Sequence, residues 1–169
     1  MSTVKNSYDI KDHDASAIGL KLAGTLVTAT AAELNAAADV SARHEVVTTT
    51  NVITADETGK TFYLHSATDF VSTLPAPAIG LEFEFIVKTA ATTTAHTIVT
   101  NAGADVIYGA VATADGLASV LASAEDKISL TKTATGGIVG DCCTVKSDGT
   151  NWYVKGLVSV AAGITFTVT

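Results

Sequence analysis

Positive charge is scarce in this chain. Ten Lys and Arg stand against seventeen Asp and Glu, a formal net charge of -7 over 169 residues. The ten are scattered and form no basic stripe. The electrostatic source that drives binding to a phosphate backbone is missing, which argues against nucleic acid as a partner. Cysteine is scarce too, with only the adjacent Cys142 and Cys143. Successive side chains of a strand point to opposite faces, so the two should not bond each other. No disulfide framework can be drawn from them, and folding in a reducing compartment is expected. Aromatic residues make up 6%, while Ala (28) and Thr (27) supply about a third of the chain. Such small-residue usage predicts a thin core in a single copy, with part of the burial supplied by other subunits. No apolar run approaches the ~18 residues that span a bilayer, so no membrane partner is expected. The opening MSTVKNSYDIKDHDAS is polar and has no signal-like apolar core, so no targeting segment is expected.

What is present divides into three parts. Residues 1–24 read as a polar N-terminal arm with a weak apolar pattern in ASAIGLKLA. Residues 25–44 read as a short helical segment, with the helix over Thr28–Ala42. Thr30 with Glu33 three residues on has the form of a capping box, in which each side chain satisfies a free N–H of the first turn. Leu34, Ala37 and Ala38 share one face at i, i+3, i+4 spacing. A face this thin cannot hold an isolated helix, so a partner is expected, either the same helix of another copy or the neighbouring sheet. Residues 45–169 read as about ten short strands. LEFEFIVK (81–88) alternates, with Leu81, Phe83, Phe85 and Val87 on one face. HTIVTN and DVIYGAVAT read as a hairpin about Gly103, and Ser147–Asn151 as the turn of a second. Pro75 and Pro77 break the run between strands. The expected class is mainly β, an antiparallel β-sandwich or jelly-roll-like module with an arm and one short α-helix.

Nothing in the chain spells out a reaction. Thr58-Gly59-Lys60-Thr61 resembles the end of a phosphate-binding loop, but Thr54 stands where the first Gly belongs and a strand follows instead of a helix. Asp12-His13-Asp14 is a consecutive cluster on the arm, best read as solvated charge. His44, His65 and His96 have no spacing to a nucleophile. Asp141 precedes Cys142, yet no His is tied to them, and the thiols read as structural. Trp152 reads as hairpin or core packing and Tyr153 as its neighbour, with sugar stacking the less common use. No catalytic residue, no metal site and no cofactor is expected.

GTLVTATAAELNAAADVSARHE resembles a segment of tailed-bacteriophage virion proteins, in which such helices precede a β-rich module. ADETGKTFYLHSATDFVSTLPAPAIGLEFEFIVKTA, HTIVTNAGADVIYG and SDGTNWYVKGLVSVAAGITFT resemble the modules themselves, and the blocks together cover most of Gly24–Thr169. The resemblance implies a capsid decoration (cement) protein on the outer capsid surface of the virion, made in the host cytoplasm. Its partners would be the major capsid protein and further copies of itself, as a homotrimer. The alternative it implies is a tail or head fibre module that binds a host-surface receptor or glycan. Ile18, Leu20 and Leu22 of the arm, with Leu34, Ala37 and Ala38 of the helix, are the expected attachment or oligomer contacts.

Overall fold

The computed structural model describes residues 21–22, 25–26, 28–30, 33, 38, 40–104, 106–116, 119–132 and 136–168. The chain divides into two compact units, Met1–Ala38 and Asp39–Thr169.

In the first unit, β1 (Lys21–Leu22) pairs antiparallel with β2 (Thr25–Leu26), Lys21 opposite Leu26. Thr25 and Leu26 are therefore strand, whereas the sequence reading placed them in a helical segment. The capping box is present: Thr30 N–H and O–H donate to the Glu33 carboxylate at 2.6 and 2.8 Å, and Glu33 N–H donates to Thr30 Oγ1 at 3.2 Å. Glu33 and Ala38 are helical; the second unit opens with a 3-10 turn over Val40–Arg43.

The second unit is mainly β, built as two mixed sheets. Its chain begins by alternating between them. β3 (His44–Val47), β5 (Thr61–His65) and β7 (Ile79–Thr89) lie in one sheet, in parallel. β4 (Asn51–Val52), β6 (Val71–Thr73) and β8 (Ala95–Val99) lie in the other, also in parallel. Each pair of consecutive strands thus forms one rung, and successive rungs stack. The expectation of a wholly antiparallel module is corrected here. Parallel neighbours need a crossover, and in this chain the crossover is a strand of the opposite sheet, not a helix.

From β9 onward the pairing is largely antiparallel. β9 (Ile107–Thr113), β10 (Val120–Glu125), β12 (Cys142–Asp148) and β13 (Trp152–Val158) complete a seven-stranded sheet in the order β10-β9-β13-β12-β7-β5-β3. β11 (Lys127–Thr131) and β14 (Ile164–Thr167) complete a five-stranded sheet in the order β14-β11-β8-β6-β4. The expected hairpin between HTIVTN and DVIYGAVAT does not form. β8 and β9 belong to different sheets, and Asn101–Gly103 turns the chain across, with Ala102 at φ 59. The second expected hairpin does form. Ser147 faces Trp152, and Asp148 Oδ1 accepts the N–H groups of Thr150 and Asn151 at 2.8 Å each. Those backbone bonds, with the Tyr153 hydroxyl, hold the Asp148 pKa below the usual carboxylate value.

One buried cluster draws on both sheets, including Phe62, Phe83, Phe85 and Trp152 from the first and Ile98, Ile128, Leu130 and Ile164 from the second. The expectation of a thin core is revised by placement. Four of the five Phe and the single Trp are buried. Phe62 stacks on Phe85 at 5.4 Å, and Phe83 meets Trp152 at 5.7 Å. Aromatic pairs at these distances add about 0.5–1.5 kcal/mol beyond the area they bury. The rungs are also tied at their edge. Lys60 reaches Glu57 at 2.9 Å and Glu45 of β3 at 3.1 Å. Burial works against the Lys60 charge, but these two carboxylates hold its pKa above the ordinary lysine value.

Candidate functional site

The attachment residues expected from sequence are only partly placed. Ile18, Leu20, Leu34 and Ala37 lie outside the described residues, as does Asp12-His13-Asp14. Leu22 lies in β1 opposite Thr25, and Ala38 is helical and exposed. The described residues therefore do not show these six gathered into one surface.

The side chains with chemical potential in the body are engaged in holding backbone. Thr58 Oγ1 accepts the Glu82 N–H at 3.0 Å, and Gly59 N–H donates to Glu82 O at 2.8 Å. In the segment that resembled a phosphate loop, these groups and the Thr61 hydroxyl are thus spent on β7, and the Lys60 ammonium on Glu57 and Glu45. His65 Nδ1 meets Thr89 Oγ1 at 2.6 Å. His96 is buried against Phe70 and places Nε2 3.0 Å from Thr89 O, so Nε2 carries the proton and donates. His44 sits edge-on to Tyr63 with ring centroids 6.1 Å apart. Asp141 is buried and accepts from Ile138 N–H, Ser159 N–H and Ser159 Oγ–H. Among the described residues, no group of three or more His, Cys, Asp or Glu is placed to hold a metal ion. No helix among them is long and apolar enough to cross a membrane.

The cysteines take opposite faces of β12. Cys143 is fully buried, and burial pushes its thiol up to about 12, with the neighbouring Cys142 and Glu84 adding to the shift. Cys142 is half-buried on the solvent face. Because the thiolate is the reactive form, a maleimide should label one thiol per folded chain and two after denaturation. Mass spectrometry of the labelled peptide checks this, and modification of Cys143 in the folded protein would contradict the pairing of β12 with β7.

The surfaces that remain are the outer faces of the two sheets. On the five-stranded sheet, Thr97, Ser129 and Thr165 lie in register across β8, β11 and β14. With Asp69 and Lys127 they line a hydroxyl-rich groove of about 570 Å³. On the seven-stranded sheet, Val46, Tyr63, Ile86, Cys142, Leu157 and Ala112 lie in register across six strands. This is an apolar row on a solvent face, and Leu157 is 51% exposed. The sequence reading missed it because each strand contributes only one member. The alternation of LEFEFIVK places Ile86 outward, but the row exists only once strand order and register are known. A groove of about 490 Å³ opens at its β3 end, walled by Tyr63, Val139 and Lys88. Comparison with protein-family models, with curated proteins and with solved structures finds no match to this chain.

Proposed function

We propose that this chain is a non-enzymatic structural protein of a tailed-phage virion, a decoration protein that binds the major capsid protein on the outer surface and cements the shell. The observation that carries the reading is the use made of its polar side chains. Asp141, His65, His96 and Thr58 all hold backbone or neighbouring strands in place. The resemblance of its sequence blocks to virion modules points the same way. The body is a β-sandwich in this reading, since one apolar cluster is shared by both sheets. The separate unit Met1–Ala38 is the attachment element.

Purified protein should co-sediment with capsids that lack it and raise the temperature at which they break open. A chain without residues 1–23 should keep the β spectrum of the body and lose attachment. Full attachment by the shortened chain would move the contact to the body, and no binding by the intact chain would end the decoration reading. The hydroxyl-lined groove of the five-stranded sheet favours one second reading, a fibre module that holds a glycan through Thr97, Ser129, Asp69 and Lys127. Binding to host-surface polysaccharide, with unchanged capsid stability, would select it.

A further inference from the structure

We infer that the outer face of the seven-stranded sheet pairs with the same face of a second copy about a two-fold axis running along β12. The inference stands on the layout of three adjacent strands. On β12 the outward residues are Cys142, Thr144 and Lys146. Beside them β7 places Ile86, Glu84 and Glu82, and on the other side β13 places Leu157, Lys155 and Tyr153. A half-turn about an axis above β12 and parallel to it exchanges the β7 and β13 columns and preserves height along the strands. Each Glu84 then faces the second copy's Lys155, and each Ile86 faces its Leu157. Both contacts occur twice, as a self-complementary two-fold interface requires.

Three further features fit the same operation. β5 lies beyond β7, and β9 beyond β13. The half-turn therefore brings Tyr63 over Ala112, a large side chain over a small one, and His44 over Leu121, which is 71% exposed. Lys146, near the axis, carries its own counter-charge in Glu82 at 2.9 Å, which limits repulsion between the two copies. Seven strands at ~4.8 Å spacing give a face roughly 30 Å wide. That is on the scale of the ~800 Å² per partner buried in a stable interface. Packed sheets align within about 30°, so the correspondence is tightest beside β12, where the charged and apolar pairs lie. The contact does not depend on the decoration reading, and its even-numbered assembly stands against the homotrimer that the resemblance implies.

The test is the mass of the assembly. Sedimentation equilibrium of the full chain should give an even number of 17.2 kDa copies. Lys155→Glu should weaken pairing at least tenfold and halve that number, since it creates two like-charge contacts. Adding Glu84→Lys to Lys155→Glu should restore it. In parallel, a short bis-maleimide should link two wild-type chains through Cys142, and Cys142→Ser should abolish the link. An odd number of copies in the wild type, monomer or trimer included, would overturn the inference. So would a pairing indifferent to Lys155→Glu, or Cys142 that takes the reagent without forming a cross-link. If Lys155→Glu instead weakens only capsid binding, the shell covers this face and a second copy does not.

Discussion

Gly109→Ala should lower the unfolding free energy by about 3 kcal/mol or more. Gly109 lies in β9 opposite Val154 of β13, in the one parallel pairing of the later strands. Its φ is 137°, and a Cβ there would sit 2.1 Å from Val154 O. Two costs combine: a backbone conformation that disfavours a side chain, at about 1–2 kcal/mol, and overpacking against a fixed carbonyl, at about 1–3 kcal/mol. The neighbour is backbone within a sheet, so it cannot swing aside as a flexible side chain would. Gly116→Ala separates the two costs. Its φ is 73° and nothing lies within 4 Å of the added atom, so only the conformational cost applies. Trp152, the sole Trp, is buried in β13 beside β9 and reports both unfolding transitions by fluorescence in urea. Equal losses for the two variants would mean that β9 does not approach β13 this closely.

The same two strands show where the sequence was legible and where it was not. Alternation is a local signal, and it correctly turned Leu81, Phe83, Phe85 and Val87 inward, all of them buried. Turn chemistry is local too, and Ser147–Asn151 marked the β12–β13 hairpin. The capping box of Thr30 and Glu33 was readable for the same reason. What periodicity and turn residues do not encode is which sheet the chain enters after a turn. Gly103 signals a change of direction equally well for a hairpin and for a crossing between layers. The crossing wins because β8 is already bracketed by β6 and β11 and has no free edge for β9. The parallel rungs escaped notice for a related reason. Partners such as Thr61 and Glu84 lie 23 residues apart, and no repeat in sequence announces their pairing. The apolar outer row is the extreme case, because its members come from six strands and none belongs to a recognisable motif.

Asp141→Ala should cost about 4 kcal/mol, and its effect should begin locally. In sequence, Asp141 invites a chemical reading because it adjoins a cysteine. In the fold it is a clamp. Its Oδ1 accepts the Ser159 N–H at 2.8 Å and the Ser159 hydroxyl at 2.6 Å, and its Oδ2 accepts the Ile138 N–H at 3.2 Å. The Asp141 carbonyl also takes the Val87 N–H at 2.9 Å, so the residue ties the end of β7, the start of β12 and the exit of β13 together. Asp141 is 4% exposed, so a truncated side chain leaves donors that water reaches poorly. Each stranded donor costs about 1–3 kcal/mol. Ser159→Ala removes only one hydroxyl donor and should cost about 1 kcal/mol, because the Asp141–Ser159 backbone bond persists. Asp141→Asn should fall between them. It keeps an acceptor for Ser159 but turns an amide NH₂ toward the Ile138 N–H, where two donors oppose each other. Val139 and Gly140 wall the groove at the end of the apolar row, so loosening this segment should also raise amide exchange at 138–140 before global unfolding. Paired variants measured by urea denaturation would give the coupling between Asp141 and Ser159 directly. If Asp141→Ala costs no more than Ser159→Ala, and exchange at 138–140 is unchanged, Asp141 is not the clamp and the three chain segments are held by backbone pairing alone.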